Sequence, residues 1–177
     1  MSMPLPLTDT AILPACDRLD LTPFLPAGRD VVLVPMPPPA PGTTPLTFAF
    51  IPNDGAGDVT VEASLFSVPL ARQARLSVYF ATVASQYKGI TWMIDGGVAY
   101  ATIHVDLTNT GDAPATVAVA FGRLARALGE VYPDITRIVT GAPLRRSRAE
   151  REAARVVAPF DAADSAPVPA PGSLHNA

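Results

Sequence analysis

Cysteine, lysine and histidine are nearly missing from this chain of 177 residues. The one cysteine, Cys16, excludes an intrachain disulfide and any cysteine-based zinc cluster. Lys88 is the only lysine, and the bias towards arginine, alanine, proline and valine points to a GC-rich bacterial or phage genome without informing on function. His104 and His175 are the only histidines, whereas a metal site needs three or four converging ligands, so neither a metal nor a cofactor is expected. No apolar run reaches the length of about eighteen residues that a membrane-spanning helix requires. Basic residues are missing from the start of the chain, and Asp9 breaks its short apolar stretch, which argues against a secretory signal. Leu13-Pro14-Ala15-Cys16 is similar to a bacterial lipoprotein cleavage box, but its proline and the missing basic segment speak against that reading. A reducing, cytoplasmic setting is therefore expected. The net charge of −3 gives no electrostatic reason to expect nucleic acid.

Motifs that carry chemistry are missing too. There is no Gly-x-Ser-x-Gly elbow, no Gly-x-Gly-x-x-Gly and no P-loop. Gly55-Ala56-Gly57 precedes a strand pattern, so no helix N-terminus stands behind it to cradle a phosphate. Asp95 abuts a turn and Asp106 falls at the far end of the same hairpin, too far apart for paired-carboxylate hydrolysis. Cys16 has no histidine near it in sequence and reads as a small apolar residue. The chain is expected not to be an enzyme.

Hydrophobic residues make up 49% of the chain, ample for a core. The clearest pattern is helix, hairpin, helix. Ile90 to Asp95 and the alternating run Val98 to Leu107 flank Gly96-Gly97, a two-residue loop suited to a type I′ turn, which needs φ > 0 at both positions. That loop predicts the pairs Asp95–Val98, Ile94–Ala99, Trp92–Ala101 and Ile90–Ile103. Trp92 then joins the apolar face, and Met93, Tyr100 and His104 lie on the other. Before the hairpin, Leu76, Phe80, Val83, Ala84 and Tyr87 form a helical stripe, with Ser67 as expected N-cap, Pro69 in the first turn and Gly89 as the stop. After it, Asp112 caps a second helix carrying Val117, Phe121, Leu124, Leu128 and Val131, which Pro133 is expected to end.

Proline placement draws the boundaries. Of 20 prolines, twelve precede Asp54 and four lie between Pro159 and Pro171. Residues 1–29 read as an irregular Pro-rich arm with a helical turn near Cys16 to Leu21, and 159–177 as a disordered Ala/Pro tail. Three strand candidates follow the arm: Asp30 to Val34, Leu46 to Ile51 and Asp58 to Phe66. Pro35 to Pro41 reads as a polyproline connector between the first two. The expectation is an α+β domain over 30–158: one five-stranded, mainly antiparallel sheet in the order β-β-β-α-β-β-α, helices packed on one face, and a late Arg-rich helix over 144–157.

The segment from Leu76 to Ile135, with "LSVYFATVASQYKG" leading into "ITWMIDGG" and then "VAYATIHVDLTNTGDAPATVAVAFGRLARALGEVYPDI", resembles the YbjN family and the related type III secretion chaperones. It departs from that pattern in its short or absent first helix and its Pro-rich connector. The resemblance implies a non-enzymatic protein, often dimeric, that holds or regulates other proteins.

Two surfaces are candidates for partner binding. Met93 and Tyr100 lie on the sheet face that one-sided helix packing would leave open. Arg145, Arg146, Arg148, Arg151 and Arg155 line the late helix, where the pairs Arg146–Glu150 and Arg148–Glu152 suit a solvated face and the remaining charge suits an acidic partner. The first functional reading is a chaperone-like or regulatory interaction module, self-associating as a homodimer or larger assembly and binding a protein client. The second is a structural subunit of a phage virion or secretion apparatus, its Pro-rich arms reaching onto neighbours.

Overall fold

The computed structural model describes residues 6–37 and 45–142. Its centre is the hairpin. Strands β4 (Ile90–Asp95) and β5 (Val98–Asp106) pair antiparallel in the register that the Gly-Gly loop dictates, from Asp95↔Val98 to Ile90↔Ile103. Gly96 and Gly97 sit at φ 53° and 79°, the left-handed pair that a type I′ turn demands. Strand β3 (Asp58–Ser67) pairs with the other side of β5. A register shift between Ser64 and Phe66 turns Leu65 and Phe66 both towards the helices. Leu65 is buried, and the Phe66 ring meets Tyr132 edge-on at 5.7 Å.

Strands β2 (Leu46–Asn53) and β1 (Val32–Met36) complete the order β1-β2-β3-β5-β4, antiparallel throughout. β1 starts two residues later than expected and takes in Pro35. Leu33 turns its N–H and C=O outward to Phe24, at 2.8 and 2.7 Å, so Pro35, two residues on, also faces outward, where its missing N–H removes no ladder bond. The rest of the proposed polyproline connector, 38–44, lies outside the described residues.

The helices cover one face of the sheet, as expected. α2 (Leu70–Gln86) lies on β4, and α3 (Ala113–Thr140) on β5 and β3. Phe48 and Phe50 pack on Phe121 at 4.9 and 5.7 Å. Trp92, opposite the small Ala101, fills the gap between sheet and helix against Phe80 at 5.7 Å. Asp112 caps α3, accepting from the Ala115 N–H at 3.1 Å.

Three local expectations are corrected. Ser67 is the last residue of β3, and α2 starts after Pro69, which caps without a side-chain bond. Pro133 does not stop α3, which runs on to Thr140 and a left-handed Gly141. Pro133 and Gly129, the residue four before it, are both exposed, so water can take the carbonyl that the proline leaves free. The helix beyond buries Ile135 and Ile138 completely. At about 1.5–3 kcal/mol each, their burial outweighs a cost of about 3 kcal/mol for an interior proline.

Third, within the expected irregular arm the described residues 6–29 include more helix than the turn expected near Cys16 to Leu21, and it starts earlier. A π-helical turn (Thr8–Ile12) runs directly into α1 (Leu13–Arg18), and Ala11, Ile12, Ala15 and Cys16 are fully buried beside α3. Arg18 reaches Asp112 at 3.0 Å, and the Leu7 N–H reaches Asp54 at 2.7 Å. Pro14 falls in the first turn of α1, where its ring is tolerated. The first helix is therefore short but present. The late helix expected over 144–157 and the tail expected over 159–177 lie outside the described residues.

Candidate functional site: the open sheet face

Strand alternation sends Val59, Val61 and Ala63 of β3, and Ala99, Ala101 and Ile103 of β5, towards the helices. The residues between them make a second face that no described helix covers. Strand register arranges that face in rows. One row reads Pro35, Thr47, Ser64, Tyr100, Met93, and the next reads Leu33, Ala49, Glu62, Thr102, Thr91. Beyond these stand Ile51, Thr60 and His104, then Asn53, Asp58 and Asp106. The structure thus places Met93 and Tyr100 directly opposite one another, as the hairpin register predicts. Met93 is 42% exposed, and Tyr100 is half-buried among its neighbours.

Among the described residues no strand contains a lysine or arginine, so this face carries carboxylates and one imidazole. The His104 ring lies between Asp58, at 3.5 Å from Nε2, and the Thr60 hydroxyl, at 3.3 Å from Nδ1. Asp106 accepts from the backbone N–H and hydroxyl of Thr108, which hold its carboxyl below the usual range. Glu62 differs. It stands at the centre of the face between Ala49 and Thr102, without a hydrogen bond or ion pair among the described residues, and burial pushes its carboxyl up. Sequence reasoning passed over Glu62, although a lone acid inside the alternating run "VTVEASLF" was the available signal.

The other candidates resolve differently. Arg145, Arg146, Arg148, Arg151 and Arg155 lie outside the described residues. A cleft of about 530 Å³ between the end of α2 and the middle of α3 holds Lys88, Arg123 and Arg126. Arg123 donates to the Lys88 carbonyl at 2.9 Å, and Arg126 reaches Glu130 at 3.4 Å. Glu130 also accepts from the Tyr87 hydroxyl, which lowers the carboxyl and raises the phenol. The Tyr79 hydroxyl, under α3, is pushed up to about 12, first by burial and then by Asp134. The Cys16 thiol is raised by its burial, the opposite of what a nucleophile needs. Among the described residues, no group of three His, Cys, Asp or Glu could hold a metal ion, and no helix is long and apolar enough to cross a membrane.

No protein-family model matches this sequence, and no curated protein is similar to it. Its fold is similar to that in the crystal structure of YbjN from E. coli, a protein provisionally described as a transcription regulator. The TM-score is 0.56 at 10% identity, over 75% of this chain and 96% of that one. At that identity the likeness is one of fold: this chain has a YbjN-like α+β architecture.

Proposed function

We propose that this protein is a non-catalytic interaction module, chaperone-like or regulatory in role, that receives a partner protein on the open face of its sheet. One observation carries the reading: a five-stranded sheet that the described helices cover on one side only, with Tyr100, Met93 and Glu62, unpaired among the described residues, on the other. The pairing of polar groups supports the non-catalytic part. His104, Arg126 and Asp106 are each bonded to neighbours rather than aimed at one shared point where a substrate could react. Fold likeness to a protein provisionally described as a regulator is consistent with it.

The test is to purify the tagged full chain from its host, identify a copurifying protein, and reconstitute the pair from isolated components. Glu62→Lys combined with Tyr100→Asp should weaken binding at least about tenfold, equivalent to about 1.4 kcal/mol. Both positions are only partly buried, so the circular dichroism of the variant should match the parent. A folded double variant that binds with the parent's affinity would sink the proposal.

A further inference from the structure

The cleft of about 530 Å³ between the end of α2 and the middle of α3 lies on the helix side of the sheet, away from the open face. Small-molecule sites range from about 300 to 1,000 Å³, so its size is that of a ligand pocket. Its floor is apolar: Ile90 and Ala127 are buried, and the Tyr87 ring packs edge-on against Trp92 at 6.3 Å. Its rim is cationic. Lys88, Arg123 and Arg126, all exposed, stand there against a single carboxylate, Glu130. Over the whole chain the balance is reversed, with 16 Asp and Glu to 13 Lys and Arg. The positive excess is therefore local to this cleft.

Local structure brings these groups together. Arg123 and Arg126 stand three apart on α3 and Glu130 four further on, so they share one face of the helix. The chain leaves α2 at Tyr87 and reverses at Gly89, whose φ is 81°, which sets Lys88 beside that face. The Arg123 guanidinium bonds the Lys88 carbonyl, as a cation at a helix C-terminus commonly does. One cation suffices for that cap, so it does not account for Lys88 and Arg126. Arg126 engages Glu130 through Nε alone among the described residues. The Lys88 ammonium has no ion pair among them.

We propose that this cleft binds a small phosphate monoester as its dianion. The charge matches: a monoester carries about −1.5 to −2 at pH 7, and three cations against one carboxylate leave a like amount of positive charge unmatched. The donors match too. Two guanidinium forks and an ammonium offer N–H groups from α3 and from the α2 end, and a phosphate has enough terminal oxygens to accept from each, which a carboxylate lacks. Because the Lys88 carbonyl holds Arg123, that fork is oriented before the ligand arrives. Tyr87, Ile90 and Ala127 give the organic part of the ester an apolar surface. A nucleic-acid strand fits less well, since its phosphates continue beyond the cleft onto a chain in which acids outnumber bases. Glu130 tempers the affinity. It pairs with Arg126, accepts from the Tyr87 hydroxyl and repels an entering dianion, which keeps the site exchangeable.

The test is amide NMR of the isotope-labelled full chain at constant ionic strength, titrated with inorganic phosphate and with adenosine monophosphate. Both should shift the amides of Gln86 to Ile90 and of Arg123 to Glu130 saturably. Adenosine should leave them in place, and succinate, a dianion without phosphorus, should bind at least about tenfold more weakly than phosphate. Lys88→Gln keeps the carbonyl that Arg123 holds; it and Arg123→Gln should each weaken adenosine monophosphate at least about tenfold, the scale of a lost charge-assisted hydrogen bond. Glu130→Gln keeps an acceptor for Tyr87 and should tighten binding about two- to fivefold, the scale of an exposed charge interaction. Binding should also fall as pH drops through about 6, where a monoester takes up its second proton. No saturable shift with either phosphate probe, adenosine or succinate binding as tightly as its phosphate counterpart, or affinities unmoved by Lys88→Gln and Arg123→Gln would overturn the proposal. A single-stranded oligonucleotide or a phosphoserine peptide that binds these residues more tightly than adenosine monophosphate would overturn the small-molecule assignment. The variants leave Glu62 and Tyr100 in place, so this proposal and the reading of the open face fail independently.

Discussion

Replacing Pro133 by alanine should stabilise the protein, and the size of the gain follows from where the residue sits. Pro133 lies inside the 28-residue helix α3, exposed, with the core residues Tyr132, Ile135 and Ile138 around it. An interior proline costs about 3 kcal/mol through its missing N–H and its clash with the preceding turn. Alanine restores the bond to Gly129 and removes the clash, but it returns about 0.4–1 kcal/mol of chain entropy to the unfolded state. The net expectation is about 2 kcal/mol in favour of Pro133→Ala. For a protein of this size that corresponds to a rise of about 4–8 °C in Tm. Urea titration and thermal melting of the full chain measure both quantities. Ile138→Ala, in the last two turns, serves as the companion and should cost about 2–5 kcal/mol. An unchanged or lower stability for Pro133→Ala would show that the proline shapes a bend on which the packing of Ile135 and Ile138 depends. A small effect of Ile138→Ala would show that the helix past the proline is not part of the core.

Two further predictions concern stability. Gly129 is exposed in α3 with open space where a Cβ would point, so Gly129→Ala should add up to about 1 kcal/mol. Gly97 also has room for a Cβ, but its φ of 79° makes Gly97→Ala cost about 1–2 kcal/mol; equal urea midpoints for the two variants would contradict this account. The raised carboxyl of Glu62 means that the folded state favours its protonated form. That contribution is present below the ordinary glutamate pKa and is lost as pH rises through the raised folded value. Glu62→Gln should therefore remove a decline in stability between mildly acidic and neutral pH, and urea midpoints for parent and variant that run parallel over that range would refute it.

The hairpin was legible in the sequence because two independent signals agree there. Gly96-Gly97 suits a two-residue turn, and the period-two alternation on both sides admits one register that sorts Trp92 from Met93. Where only one signal existed, reading failed. Proline counted as punctuation hid the start of the helix Leu13–Arg18 and shortened α3, because a proline in the first turn or on the solvent side is tolerated once neighbouring side chains are buried. Ala11, Ile12, Ala15 and Cys16 repeat as a helical stripe, but small residues give that stripe little amplitude. The bulge at Leu65 left no trace, since Leu65 and Phe66 are both apolar and either could face the core. On the candidate site, the pairing of Met93 with Tyr100 followed from the turn, whereas the isolation of Glu62 depends on neighbours in β2 and β5 that lie far from it in sequence.

The chemistry of the open face restricts what can cover it. Thr47, Thr60, Ser64, Thr91 and Thr102 interleave hydroxyls with the apolar atoms of Met93, Tyr100 and Ile51. Such a surface is already solvated in the free protein, which removes the pressure towards a permanent hydrophobic seal and suits an exchangeable interface. On the proposed reading, Glu62 adds selectivity. A purely apolar partner would strip water from an uncompensated carboxylate, at a cost of several kcal/mol. A partner carrying an arginine, a lysine or a cluster of N–H donors at that point avoids the cost and gains a charge-assisted hydrogen bond. The same residue thus opposes one class of surface and attracts another, which is how specificity arises as a difference between affinities. A face of threonines alone would bind more indiscriminately, and replacing Glu62 by threonine should broaden the set of proteins that bind rather than abolish binding.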